Sequence, residues 1–380
     1  MSRLTLRLSS WVNLMTEKLN LVLMFGGRSG EHEVSLMSAR SVLEALSPEK
    51  YQVFQLGITK DGLWKTGPDA LSAFEEGRWD ELEDALLLPA GNKARLCLRT
   101  GSQLQPVGDI DVVFPVIHGT FGEDGTMQGL FEIYRVAYVG AGVLASALAM
   151  DKAICKRIAA SAGIPVLEYA VFTRNQIEQS PAALAAQAEQ IASYPLFVKP
   201  ANLGSSVGIS KAHNRAELEA ALLKAARYDR RILVERGIEA REIEISVLGN
   251  ENPLVSFPGE IVPGDEFYTY QDKYHHGDPE TAIPAPLSPA QTEELRGYAL
   301  QAYQSVDCAG MARVDFLIEK ASGKAYFNEI NTIPGFTSIS MYAKLLKYSG
   351  VEYNALVDRL IALALERKAD QEKTVRKFED

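Results

Sequence analysis

Cysteine is scarce in this chain. Cys97, Cys155 and Cys308 are the only three in 380 residues; they are odd in number, far apart and without metal-ligand spacing. That excludes a disulfide scaffold, fits buried, inert thiols in a reducing compartment, and leaves no Cys in the setting of a nucleophile. Long apolar runs are missing too. Nothing approaches the ~20 residues that a membrane-spanning helix needs, so no membrane partner is expected and the cytoplasm is the expected location. Positive charge is in deficit: 39 Lys and Arg stand against 49 Asp and Glu, for a net charge of -10. The basic residues are scattered, which argues against a nucleic-acid partner held by its backbone. No internal repeat occurs, the only biased tract is the alanine-rich stretch 182–192, and neither the Walker pattern nor the dinucleotide fingerprint is present.

What is there is apolar and patterned. At 47% hydrophobic, the chain has material for two or three domains packed around a cleft. Residues 1–18 precede the ordered pattern and are read as a disordered or dispensable extension. The first sixteen hold Arg and Ser but no acidic residue, a faint likeness to a transit peptide, and Met15 is an alternative start. From Leu19 an apolar run ends in Gly26-Gly27, and apolar positions then take helical spacing from Glu33: strand, glycine turn, helix. Further strands at 51–58 and 111–117 predict an α/β unit over 19–140, a doubly wound parallel sheet. Residues 60–108 are polar and irregular and are expected to decorate it. A helix over 145–162 exits at Gly163. It opens a central domain, 141–235, with strands at 196–199 and 231–235 and a helix at 216–227. A C-terminal domain, 236–380, follows, with a strand at 242–248 and closing helices at 341–348 and 353–367.

The chemistry concentrates in a hairpin of that last domain. Arg313-Val314-Asp315-Phe316 and Phe327-Asn328-Glu329-Ile330-Asn331-Thr332 are rich in β-branched and aromatic residues and flank a Ser322-Gly323-Lys324 turn. Strand side chains repeat every second residue, so Arg313 shares a face with Asp315 and Glu329 with Asn331. Two carboxylates, an amide oxygen and a guanidinium can then converge. Such an all-oxygen set suits Mg²⁺ that draws its remaining ligands from phosphates; a plain surface salt bridge is the simpler alternative. Upstream, Gly204-Ser205-Ser206-Val207-Gly208 follows a strand ending at Lys199-Pro200. Its backbone N–H groups can wrap a phosphate beside a lysine charge, although such a turn also closes ordinary hairpins. The strand 231–235 can lie beside an adenine ring with Glu235 and Glu242 in reach. The polar, aromatic, proline-bounded segment 263–286 reads as a lid that excludes water; its His275-His276 pair is assigned no role. Glu31 sits at a glycine turn opening a helix, where a carboxylate either caps the helix or holds a substrate ammonium. His118 ends a strand at the edge where α/β sheets bind ligands.

Taken in order, these segments resemble an ATP-grasp ligase, and more closely the D-alanine–D-alanine ligase family. The likeness runs from about residue 19 through Gly26-Gly27-x-Ser29-x-Glu31-His32-x-Val34-Ser35, His118-Gly119-x-x-Gly122-Glu123-Asp124-Gly125 and Met150-Asp151-Lys152. It continues through Val198-Lys199-Pro200, Gly204-Ser205-Ser206-Val207-Gly208, Lys273-Tyr274, Arg313-Val314-Asp315 and Asn328-Glu329-Ile330-Asn331-Thr332-x-Pro334-Gly335. The resemblance implies an α/β N-terminal domain followed by a two-domain ATP-grasp fold of α+β character. It also implies ATP-driven joining of two D-alanines through an acyl phosphate, for peptidoglycan precursors. ATP and two Mg²⁺ are the implied cofactors, with Mn²⁺ as a substitute, and a homodimer is the implied assembly. Carried over by position, Asp315, Glu329 and Asn331 match the metal ligands. Lys152, Lys199 and Ser206 match the phosphate contacts, and Glu235 and Glu242 the adenine and ribose contacts. Glu31 matches the group that binds the first D-alanine's ammonium, with His118 beside its carboxylate. Arg313 and the Gly335 N–H match oxyanion-stabilising donors, and Lys273 and Ser340 match groups that hold the second substrate. Ser205 and Tyr274 match partners of Glu31 that fix the closed lid. Relatives that make the D-alanine–D-lactate ester tend to lack that tyrosine, so its presence favours an amine nucleophile. The remaining alternative is a silent ATP-grasp nucleotide-binding protein, which would be expected to have lost these metal and phosphate ligands.

Overall fold

The computed structural model describes residues 18–204, 207–262 and 280–375. Its first strand, β1 (Leu19–Gly26), is apolar at every buried position because both its faces are covered. Leu21, Leu23 and Phe25 enter one core, and Val22 and Met24 enter another on the opposite side, as the two-residue strand repeat requires. A Cβ at Gly26 would meet the Ile58 carbonyl oxygen at 2.3 Å, and its φ is +85°, so only glycine turns the chain there into α1 (His32–Ala45). The next elements are β2 (Tyr51–Ile58), β3 (Trp64–Thr66), α2 (Ala70–Glu75), β4 (Glu83–Ala90), β5 (Lys93–Thr100), β6 (Gln103–Ile110), β7 (Val112–Pro115), α3 (Thr126–Tyr134) and β8 (Ala137–Tyr138). They form one sheet in the order β6-β5-β4-β3-β2-β1-β7-β8. Its β2-β1-β7-β8 part is parallel, as expected.

Residues 60–108 correct the sequence reading. They are no irregular decoration but an antiparallel meander that supplies half of that sheet. The strands are covered mainly on one side, so alternate residues such as Ala85 and Leu87 or Ala94 and Leu96 are buried. Most of β6 is exposed. Polar strands of this kind lack the continuous apolar run that marks a buried parallel strand.

The central elements are α4 (Val143–Met150), α5 (Lys152–Ser161), β9 (Tyr169–Thr173), α6 (Arg174–Gln179), α7 (Pro181–Ala188), β10 (Leu196–Pro200), β11 (Ser210–Ala212), α8 (Arg215–Ala225) and β12 (Arg231–Arg236). The helix expected over 145–162 is therefore two helices. Asp151 is extended (φ -86°, ψ 99°) and its carboxylate accepts the N–H groups of Ala153 and Ile154, a capping role that starts α5 afresh. The sheet β11-β10-β12-β9 is antiparallel throughout.

A third sheet, also antiparallel, comprises β13 (Ala240–Leu248), β14 (Leu254–Val255), β15 (Gly259–Val262), β16 (Glu280–Ala282), then, after α9 (Pro289–Ser305), β17 (Met311–Glu319) and β18 (Ala325–Asn331). The helices α10 (Met341–Tyr348) and α11 (Tyr353–Gln371) follow. Leu356, Leu360 and Ile361 of α11 share a core with Leu21 and Phe114, so the last helix covers the first sheet. All three cysteines are buried and free. Among the described residues no helix is long and apolar enough to cross a membrane.

Candidate active site

A cleft of about 930 Å³ lies where the three sheets face one another. It takes in Glu31, His118, Lys152, Lys199, Glu235, Glu242, Arg313, Asp315, Glu329, Asn331, Gly335 and Ser340, which are all the candidates among the described residues. Ser205, Ser206, Lys273 and Tyr274, with most of the expected lid at 263–286, lie outside the described residues.

The floor is the β17–β18 hairpin. Its register sets Arg313 opposite Asn331 and Asp315 opposite Glu329, the convergence that strand periodicity predicts. Arg313 grips both Asp315 oxygens, Nε to Oδ1 at 2.8 Å and Nη2 to Oδ2 at 2.7 Å. Its Nε also stands 3.0 Å from Glu244 Oε2, on β13 and directly across from Asp315. Burial would lower the Arg313 pKa, but Asp315 and Glu244 outweigh it and hold the guanidinium firmly charged. Asn331 Nδ2 donates to Asp315 Oδ2 at 3.0 Å, which turns the Asn331 amide oxygen away from that carboxylate. Glu244 was missed in the sequence, although Glu242-x-Glu244-x-Ser246 carries the same period-two signal as the hairpin.

Helix α5 supplies two of the ammonium groups, Lys152 and Lys156. Asp151 caps α5 and accepts a hydrogen bond from Arg231, and the Lys152 N–H donates to Ala201 O at 2.9 Å, so the helix start is docked on the central sheet. Lys152 Nζ then meets Glu329 Oε2 at 3.0 Å and donates to Leu203 O at 2.8 Å. Burial pulls the Lys152 pKa down, yet the Glu329 carboxylate more than offsets this and leaves it raised. One turn on, Lys156 is 1% exposed, its Nζ 2.8 Å from Glu235 Oε2; sequence reading missed it, and the i, i+4 spacing from Lys152 was the available signal. Glu235 holds Lys199 Nζ at 2.8 Å through its other oxygen. Burial would raise the Glu235 pKa, but the two ammonium groups bring it down to about 2. Both carboxylate oxygens of Glu235 therefore serve lysines. Removing one partner of such a buried pair costs ~3–5 kcal/mol.

The N-terminal wall is built from turns. The Ser29 hydroxyl donates to His118 O at 2.6 Å and accepts the Glu31 N–H at 3.1 Å. The Glu31 carboxylate lies against Gly119 and Gly204, where a Cβ would come within 2.4 and 3.0 Å of Oε2, so a side chain at either position would push the carboxylate out of this place. His118 is 3% exposed, and burial lowers its pKa. In the neutral ring, Nδ1–H donates to Ile333 O at 2.9 Å, and Nε2 accepts the Ser38 hydroxyl at 2.9 Å. Ser38 Oγ in turn accepts the Phe336 N–H at 3.3 Å. His118 thus locks the 333–336 loop onto the first sheet. Glu123, unremarked within its motif as a site residue, accepts the N–H groups of Gly119 at 2.7 Å and Ile333 at 3.2 Å. Burial first and Glu31 second push its pKa up to about 8 against those two donors. Beyond it, Gly335 faces open space, and Ser340 begins α10 with its hydroxyl donating to Thr337 O at 2.7 Å.

The donor chemistry fits Mg²⁺. Among the described residues no three carboxylate, imidazole or thiol side chains form a complete protein cage. Two carboxylates and an amide oxygen on facing strands instead suit a hard ion that takes phosphate oxygens and water for the rest of its shell.

Known proteins share this fold and much of this sequence. Residues 20–141 match the family model described as D-ala D-ala ligase N-terminus, and residues 158–362 match that for the D-ala D-ala ligase C-terminus. A D-alanine--D-alanine ligase of Thermoanaerobacter sp. (strain X514) is 51% identical over 351 residues, 92% of this chain and 97% of the relative. Among solved structures, the VanG D-Ala:D-Ser ligase from Enterococcus faecalis superposes with a TM-score of 0.79 at 33% identity, covering 92% of this chain and 100% of its own. The D-alanine-D-alanine ligase from Coxiella burnetii does so with 0.77 at 35%, covering 94% and 97%.

Proposed function

The chain belongs to the D-alanine–D-alanine ligase family, and on that premise we propose how its cleft divides the work of joining two D-alanines at the expense of ATP. The carboxylate of the first D-alanine takes the γ-phosphoryl group, releasing ADP; the amine of the second attacks the acyl phosphate, and phosphate leaves. The dipeptide serves peptidoglycan precursor synthesis. The observation that carries this division is the meeting of phosphate-type lysines, hairpin carboxylates and Glu31 in one cleft.

No covalent bond to the protein is needed, so positioning and charge do the work. Lys152 and Lys199 face the phosphates. Asp315, Glu329 and Asn331 would hold two Mg²⁺, for which Mn²⁺ is a substitute; bound there, the ions neutralise charge on the transferring phosphoryl group. Arg313, fixed by Asp315 and Glu244, and the Gly335 N–H are aimed at the oxyanion of the tetrahedral intermediate, where donors set in advance lower the barrier most. Glu31 takes the ammonium of the first D-alanine. His118 supports the carboxylate side indirectly, by fixing the loop that carries Gly335. Glu242 reaches the ribose, Ser340 and Lys273 hold the second substrate, and Ser205, Ser206 and Tyr274 complete the phosphate loop and closed lid. We retain the division into 19–140, 141–235 and 236–380, a cytoplasmic setting for the free thiols, and a homodimer as the assembly.

Phosphate release with ATP and D-alanine tests the reading: the purified chain is expected to release phosphate only when D-alanine is present, and no D-alanine-dependent release would refute it. Offering D-alanine, D-serine and D-lactate as second substrate near neutral pH separates the nucleophiles. D-Alanyl-D-alanine is expected to dominate; a dominant ester or D-serine product would refute the choice of amine.

A further inference from the structure

Resting on the assignment of Lys199 as a phosphate lysine, we infer that Lys156 is a positioning residue that keeps the Lys156–Glu235–Lys199 cluster at one net positive charge and so keeps Lys199 available to the nucleotide phosphates. Lys156 reaches no ligand itself: its side chain is 1% exposed. Its ammonium joins three elements. It projects from α5, stands 2.8 Å from Glu235 on β12 and donates to Phe327 O on β18 at 3.2 Å, two residues before Glu329. The central sheet is thereby tied to the hairpin that carries the carboxylates.

The charge count gives the tie its function. Glu235 is a single carboxylate shared by Lys156 and Lys199, each at 2.8 Å; burial lowers the Lys156 pKa and the Glu235 carboxylate opposes that, so with both lysines protonated the cluster keeps one net positive charge at the 11%-exposed Lys199 head. Without Lys156, Glu235 and Lys199 become a neutral pair in a low-dielectric site, where their attraction is strong. Lys199 is then bound inward, and the phosphates lose the field they require. A residue needed only for packing would not have to carry a charge, since burying an ammonium is unfavourable unless it is paired.

This predicts rescue by a second substitution. In Lys156→Met, the dissociation constant for ADP measured by calorimetry and the KM for ATP should each rise about tenfold, with the KM for D-alanine within about twofold of the parent. Adding Glu235→Gln removes the carboxylate that captures Lys199, and ADP affinity in the double variant should return to within about threefold of that of Glu235→Gln alone, which alters any adenine contact of that residue equally. An unchanged ADP affinity in Lys156→Met, a parallel rise in both substrate constants, or a double variant that falls as far below Glu235→Gln in ADP affinity as Lys156→Met falls below the parent would overturn the inference. If Lys156→Met is not recovered folded, the double variant is compared with Glu235→Gln alone, and a loss of ADP affinity beyond about threefold between them refutes the role. Lys199→Met is the control for the underlying assignment: native ADP affinity there would remove Lys199 from the phosphate site.

Discussion

The two walls of the cleft treat buried carboxylates in opposite ways. On the side of the central and C-terminal sheets, Glu235 lies between Lys156 and Lys199 and is held down to about 2; Asp315 is gripped by Arg313, and Glu329 is met by Lys152. On the N-terminal side, Glu123 is held by two backbone N–H groups, faces Glu31, and is pushed up to about 8. Burial acts on both walls in the same direction, so the partners decide the outcome. The cation-rich wall suits a ligand rich in negative charge that brings its own metal ions. The carboxylate-rich wall suits a small ammonium.

The largest expected break in this contrast comes from the cation-rich wall. Glu329→Ala removes a metal-ligand candidate and the partner of Lys152, and turnover should fall by at least ~10²-fold, with circular dichroism unchanged. Near-normal phosphate release from that variant would refute the metal assignment. On the opposite wall, Glu31→Gln should raise the KM for D-alanine by about tenfold while sparing the KM for ATP, because it removes one charge-assisted contact to an ammonium; a rise in the ATP constant instead would show that the walls are not separate.

The smallest effect is on stability. The folded Glu123 pKa of about 8 lies above its ordinary value of 4.5. The unfolded chain therefore gives up this proton between pH 4.5 and 8, while the folded chain keeps it. Below pH 4.5 the group contributes nothing. As pH rises to about 8 its contribution to stability falls, and above that the loss is complete. Relative to the parent, Glu123→Gln should become progressively more stable between pH 5 and about 8 in denaturant titrations. A difference that is flat with pH would show that Glu123 is ionised throughout. Glu235 has the reverse sign: its stabilisation is present above pH 4.5 and is lost as pH falls toward about 2.

The floor of the site was legible because it depends on local rules. A period of two and a Ser-Gly-Lys turn predict the hairpin and which residues share a face, and the structure adds the register, Arg313 opposite Asn331 and Asp315 opposite Glu329. The parallel strands β1 and β7 were legible as apolar runs, since both faces are covered. The meander at 60–108 was not, because strands with one wet face resemble loops in composition. The break at Asp151 was hidden by good helix formers on both sides, and only its capping geometry reveals it.

The sequence by itself determined the order of elements, the strands buried on both faces, the hairpin donors and the family's motifs, because these are written in spacings of a few residues. Only the tertiary structure decided which charges meet. Lys156 and Glu235 lie 79 positions apart in the chain yet share one ion pair, and His118 meets Ile333 across 215 positions. The state of a buried ionisable group depends on burial and on its nearest partners, and neither is fixed until the three sheets pack around the cleft.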